Sequence, residues 1–133
     1  MQYVDIDSED KELIAAAAEV IRRNFREDRH TVGAAVRCAS GRTYVGVNVD
    51  SCGYGPCAEP IAVGAAICAG EKDIRAIVAV EGRSGQYRVL SPCGNCRQLL
   101  LDFAPCAAVI LQYEGRAVKV NVKDLLPEPY RSF

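Results

Sequence analysis

Pro56-Cys57-Ala58-Glu59-Pro60-Ile61-Ala62-Val63-Gly64-Ala65-Ala66-Ile67-Cys68-Ala69-Gly70 is the stretch on which the fold turns. Pro56 suits a helix start, because its missing N–H would have no partner there. Gly70 suits the stop, so the spacing predicts a helix from about Cys57 to Ala69. Between those two marks Ile61, Ala62, Val63, Ala65, Ala66, Ile67, Cys68 and Ala69 leave almost no polar face. A helix apolar all round is buried all round. In a small chain one sheet face cannot cover it completely, so the pattern predicts a homo-oligomer, with the small residues allowing close approach.

Upstream, Asp7 or Ser8 can cap a first helix in which Leu13, Ile14, Ala17, Val20 and Ile21 recur at helical spacing, before the polar stretch 26–29 ends it. Val32, Ala34, Val36 and Cys38 then alternate, Ser40-Gly41 marks a turn, and 44–49 is a second β-rich run ending at Asn48, so this segment reads as a hairpin. Downstream, 74–80 and 107–111 are short apolar runs that read as buried strands. A third helix between them starts near Pro92-Cys93, carries Cys96, Leu99, Leu100 and Phe103 inward, and ends before Pro105. Val118 to Val120 adds an edge strand, and Asn121 with Asp124 caps a short helix through Leu126. The order predicts one α/β domain over 1–133, three-layered, with a five-stranded mixed sheet.

With 133 residues, half of them hydrophobic, the chain can bury a real core but hardly two. A net charge of −1 and no Lys/Arg run give no footprint for a nucleic-acid polymer, which favours a free small molecule. The acidic first ten residues resemble no export signal, and no apolar run is long enough for a bilayer, so a cytoplasmic protein without a membrane partner is expected. Seven cysteines, an odd number, also suit a reducing compartment better than disulfides. Cys38, Cys68 and Cys106 read as small core fillers. Cys52, in a Gly/Ser-rich loop, either lines a pocket or is a plain loop cysteine.

The remaining cysteines carry the chemistry. Cys57 and the pair in Ser91-Pro92-Cys93-Gly94-Asn95-Cys96 supply three thiolates, which can hold Zn²⁺ and leave its fourth tetrahedral position for water. Glu59, two residues after Cys57, can reach that water without binding the metal. Helices starting near Cys57 and Cys93 would aim their positive ends at this group, and Arg97 is a candidate for offsetting the excess thiolate charge. Two other readings stand beside it. Cys93-x-x-Cys96 at a helix start also suits a thiol redox protein, although that leaves Cys57-Ala58-Glu59 without a role. A purely structural zinc site would need a fourth ligand, which His30 or Cys52 would have to provide.

The motifs Val32-Gly33-Ala34-Ala35, Gly46-Val47-Asn48-Val49, Gly55-Pro56-Cys57-Ala58-Glu59 and Ser91-Pro92-Cys93-Gly94-Asn95-Cys96-Arg97-Gln98 resemble, in order and spacing from about Leu13 to Tyr130, those of the cytidine and blasticidin-S deaminases. The resemblance implies the cytidine-deaminase-like fold, one Zn²⁺ per chain, a homotetramer, and hydrolysis of a 4-aminopyrimidine nucleoside with release of ammonia, in salvage or detoxification. Glu59 would move the protons. Substrate contacts are implied at Asn48, Asp50, Ala58, His30 and Tyr130, with Phe133 a weaker match for the closing aromatic, and supporting contacts at Ser91 and Arg97. Three departures matter. The family's Asn-x-Glu at a strand end is Asn48-Val49-Asp50 here, one methylene shorter. His30 stands where an aromatic side chain is common, and Pro60 stands where cytidine deaminases often place an arginine after the Glu, an arginine that blasticidin-type enzymes also lack.

Overall fold

The computed structural model describes residues 1–132, apart from the side chain of Ser84; Phe133 lies outside the described residues. The elements run β1 (Val4–Asp5), α1 (Ser8–Asn24), β2 (Val32–Cys38), β3 (Thr43–Val47), α2 (Ala58–Cys68), β4 (Ile74–Glu81), β5 (Arg88–Leu90), α3 (Gly94–Phe103), β6 (Ala108–Tyr113) and β7 (Arg116–Asn121). The strands lie in the order β1-β7-β6-β4-β2-β3, with β5 also on β4. Among the described residues only β4 and β6 pair in parallel. The three-layer α/β class holds, with seven strands instead of five. The two extra strands have physical reasons for being silent. Both residues of β1 are exposed, and β5 has one buried residue, Val89, so neither shows an alternating pattern. Because Val4 and Asp5 pair with Lys119 and Val118, β7 is not an edge strand as expected; β1 covers it.

The period of two divides the core. Ala34, Val36, Ile77, Ala79 and Val109 face α2 and α3 with Ala58, Ala62, Val63 and Leu100. Ala35, Ala76, Val78, Val80 and Ile110 face α1 with Leu13 and Ala17. Both helical layers come close because the strands present glycine to them. A Cβ on Gly33 would stand 2.2 Å from the Ala17 carbonyl oxygen, and one on Gly46 would stand 2.6 Å from the Ala62 nitrogen. α1 starts in a capping box, with Asp7 Oδ1 accepting from Asp10 N and Asp10 Oδ2 accepting from Asp7 N, both at 3.0 Å. Gly70, at φ +91°, ends the turn after α2.

Two expectations are corrected. Of the presumed core cysteines only Cys38 is buried; Cys68, on the last turn of α2, and Cys106, in the turn after Pro105, are exposed. Phe103 does not point inward but is 55% exposed, while Leu101 takes the buried place. As expected, α2 is not covered completely within one chain. Its first turns lie under β2 and β3, but Ile67 is 46% exposed and Cys68 and Ala69 are open. Asn121 does cap a short 3₁₀ helix, Val122–Leu125, by accepting from Lys123 N. Among the described residues no helix is long and apolar enough to cross a membrane.

Candidate active site

The sheet's connectivity places two helix starts side by side. β2 occupies one edge of β4 along its whole length, so β6 and β5 share the other edge, β6 at Ala76 and Ile77 and β5 from Ala79 to Glu81. β5 therefore runs out of the sheet beside the carboxyl half of β4 and hands the chain through Ser91-Pro92 to α3. The hairpin strand β3 likewise hands it through 48–57 to α2. Cys57 and Cys93 are the N-cap residues of these two helices, and Cys96 lies in the first turn of the second.

The three sulfurs lie within 4.8 Å of one another, and Cys57 Sγ and Cys93 Sγ are 3.7 Å apart. Tetrahedral zinc with bonds of about 2.3 Å to sulfur separates its thiolates by roughly 3.8 Å, so this triangle fits the ion. Among the described residues no further His, Cys, Asp or Glu joins the cluster. Neither proposed fourth ligand is there. His30 Nδ1 lies 2.8 Å from the Asn48 carbonyl, which can only accept, so that nitrogen carries the proton. Cys52 is exposed and lies outside both the cluster and the cleft beside it.

Helix amides and burial set the electrostatics. Burial would raise the Cys93 thiol, but the backbone N–H groups of Cys96 and Asn95 and the neighbouring Cys96 and Cys57 thiols hold it below the usual range. Burial pushes Cys57 and Cys96 up. Arg97 donates to the carbonyls of Pro92 (2.8 Å) and Leu125 (3.1 Å), tying the loop before Cys93 to the C-terminal 3₁₀ helix instead of pairing with a thiol. Glu59, in the first turn of α2, is 6% exposed, and burial pushes its carboxyl up against the lowering effect of its own amide and the Cys96 thiol. Among the described residues no cation pairs with it.

Beside this group opens a cleft of about 230 Å³, on the small side of the ~300–1,000 Å³ common for ligand sites. Buried Ala58, Glu59 and Ala79 form its floor with Cys57 and Cys93, while Val32 and Leu90 are apolar walls. Asn48, Asp50, Gly55 and Ser91 form the outer part. The Asn48 Oδ1 accepts from Thr31 N and Val32 N at 2.8 and 2.9 Å, which fixes the amide. The loop after it is closed by Val49 N to Pro56 O, Asp50 N to Arg29 O and Ser51 Oγ to Tyr54 O. His30 and Tyr130 do not line the cleft. His30 is half-buried on Asn48, and Tyr130 is 75% exposed with its carbonyl accepting from Gln98 Nε2. Ala79 and Leu90 were not singled out in the sequence, and Val32 and Gly55 only as motif residues without a site role; Leu90, directly before Ser91-Pro92-Cys93, had the better signal of the first two.

Residues 7–118 match the family described as the cytidine and deoxycytidylate deaminase zinc-binding region. A blasticidin-S deaminase of Bacillus cereus is 36% identical over 137 residues, covering 98% of each chain. A cytidine deaminase of Mycobacterium tuberculosis is 35% identical over 104 residues, 77% of this chain and 74% of that one. The crystal structure of cytidine deaminase from Mycobacterium tuberculosis superposes with a TM-score of 0.78 at 30% identity, covering 94% of this chain and 99% of that one.

Proposed function

We propose that this chain, which belongs to the cytidine and deoxycytidylate deaminase family and is a zinc-dependent deaminase, is a single catalytic domain that hydrolyses a 4-aminopyrimidine nucleoside, cytidine or deoxycytidine, to the uridine product and ammonia. One observation carries the reading: three sulfurs are spaced for an ion with an open position, and two of their residues, Cys57 and Cys93, line a cleft with a buried carboxylate that has no cation partner among the described residues. Cys57, Cys93 and Cys96 would hold the zinc, which would supply the Lewis acidity that ionises a water near neutral pH. Glu59 takes one proton from water and gives it to the ring nitrogen as the oxygen adds to the amine-bearing carbon, then takes the second proton from the added hydroxyl and gives it to the amine, which leaves as ammonia. Burial without a counter-cation pushes that carboxyl up, toward holding the proton it passes on. Val32, Ala79 and Leu90 offer apolar flanks to a flat heterocycle, and Asn48 and Asp50 offer polar groups to its sugar side. Ser91 and Arg97 support the Cys93 loop, and the free thiols suit a reducing cytoplasm.

The second reading, blasticidin S as substrate, is favoured by the full-length match to the Bacillus cereus enzyme and by Pro60 after Glu59. A homotetramer accounts for the open side of α2, where Gly64 and Ala65 are half-buried and Ile67 and Cys68 exposed; in it a neighbour's Tyr130 and His30 could close the cleft. The test is ammonia release by zinc-loaded protein from cytidine, deoxycytidine and blasticidin S, beside metal analysis. Turnover with about one zinc per chain is expected, and the preferred compound decides between the substrates. Metal-free protein that catalyses disulfide exchange instead would sink the deaminase reading.

A further inference from the structure

The two cysteines that cap helices are held in the same way by different donors. Each follows a proline, whose only backbone hydrogen-bonding group is its carbonyl. Before Cys57 the Pro56 carbonyl accepts from Val49 N at 3.1 Å, a backbone bond inside the loop that leads into α2. Before Cys93 the donor is a side chain: Arg97 Nε reaches the Pro92 carbonyl at 2.8 Å. The Arg97 amide also donates to the Cys93 carbonyl at 2.9 Å. One residue therefore fixes both peptide planes that flank Cys93, and with them the φ of −70° and ψ of 171° from which its thiol projects. Packing adds little there, because Cys93 is exposed.

Arg97 has a third attachment. Its Nη1 donates at 3.1 Å to the carbonyl of Leu125, the last residue of the C-terminal 3₁₀ helix, where a helix end leaves carbonyls open. The next residue, Gln98, donates from Nε2 to the Tyr130 carbonyl at 3.1 Å. Among the described residues these two hydrogen bonds tie 123–130 to the body of the domain, while the Lys123 amide stays with the cap at Asn121. Buried Leu125 adds packing. A guanidinium presents its donors in a rigid fork, so two carbonyls that share it do not move independently.

We infer that Arg97 is a positioning residue that couples zinc retention to the seating of the C-terminal segment 122–130: it keeps Cys93 in ligating geometry while the Leu125 carbonyl anchors its fork. The inference rests on the zinc reading of the three thiols. Groups behind a metal's ligands orient them, and losing such a group commonly costs about tenfold or more in metal affinity. Coupling between two sites is reciprocal, so a seated segment slows zinc loss and bound zinc steadies the segment. Cys57 needs no such help, since the carbonyl before it is held by backbone.

The test uses the full zinc-loaded chain and reads zinc transfer to a chromogenic chelator beside amide exchange in 122–130. Arg97→Met should release zinc about tenfold faster or more and raise exchange in that segment. Arg97→Lys keeps the charge but not the fork, and should release zinc nearly as fast as Arg97→Met. Leu125→Ala loosens the anchor with Arg97 and the thiols in place, and should speed release several-fold. Gly33→Ala strains the α1 side of the sheet and should leave the rate at the wild-type value, which separates positioning from a general loss of stability. A wild-type rate in Arg97→Lys or Leu125→Ala, unchanged exchange in Arg97→Met, or equally fast release in Gly33→Ala overturns the proposal. Metal analysis of the wild type tells the two failures apart. A chain that never holds zinc loses the zinc reading and the coupling with it, and a chain that holds zinc at a rate blind to these variants loses only the coupling.

Discussion

Asp10 and Glu59 are both buried carboxylates in the first turn of a helix, Asp10 in α1 and Glu59 in α2. Their surroundings differ in one respect. Asp10 Oδ2 takes Lys119 Nζ at 2.8 Å and Asp7 N at 3.0 Å, and Oδ1 faces Arg37 Nη2 at 3.5 Å. Glu59 has sulfur and an apolar floor around it, with burial opposing its charge. A buried acid with its cation holds α1 to β7 and β2; a buried acid without one keeps a proton within reach and is suited to proton transfer. The network at Asp10 is incomplete, for Asp10 Oδ1 and Arg37 Nη1 make no hydrogen bond, so it is held mainly by Lys119.

The comparison is broken most directly by exchanging what each acid does. Glu59→Gln should lower turnover by roughly 10²–10⁴-fold, the usual worth of a positioned acid–base group, with zinc content and melting temperature nearly unchanged. Lys119→Met should do the reverse. Leaving Asp10 buried without its main counter-ion should cost about 3 kcal/mol of stability, read by denaturant titration, with the zinc-loaded enzyme's kcat retained. If Lys119→Met leaves stability intact, the structural half of the contrast fails.

The two glycine contacts sharpen the contrast at lower cost. Alanine at Gly33 crowds α1, and alanine at Gly46 crowds α2, each by roughly 1–3 kcal/mol of overpacking. Only Gly46→Ala displaces the helix that carries Cys57 and Glu59, so it should also weaken zinc retention against a chelator, whereas Gly33→Ala should not. The smallest effect is at the cap of α1. The Asp10 N–H, followed by Lys119, holds the Asp7 carboxyl below its ordinary 3.8, so its contribution is present above that pH and is lost as pH falls through the lower folded value. Asp7→Asn keeps a cap that does not titrate. The melting-temperature gap between wild type and Asp7→Asn should be constant above pH 5 and drift in the variant's favour below about pH 3.8.

Much of this molecule is legible in one dimension because its signals are local. The capping box at Asp7, the alternation of Val32, Ala34, Val36 and Cys38, and the Pro56 and Gly70 limits of α2 each reflect a backbone requirement met within a few residues. Cys57, Cys93 and Cys96 are legible for a chemical reason: thiolates at helix starts, with a spaced acid, have few other uses. What stayed hidden depends on distant partners. β1 exists through Lys119 and Val118, at the other end of the chain, and β5, too short to show an alternation, through its pairing with Ala79 to Glu81 across a loop. Phe103, Cys68 and Cys106 are apolar enough for a core, and only the reach of the sheet decides that they stay outside it.

By itself the sequence determined the α/β class, the deaminase family motifs, the donor set and the general acid–base candidate, because periodicity and ligand chemistry are properties of residue order. Tertiary structure alone decided that β5 and β6 divide one edge of β4, bringing the α2 and α3 starts to 3.7 Å between sulfurs. It also decided that Asp10 has a counter-ion and Glu59 has none. Pairing and burial are set by residues tens of positions apart, and no local pattern encodes which of two similar acids will find a cation.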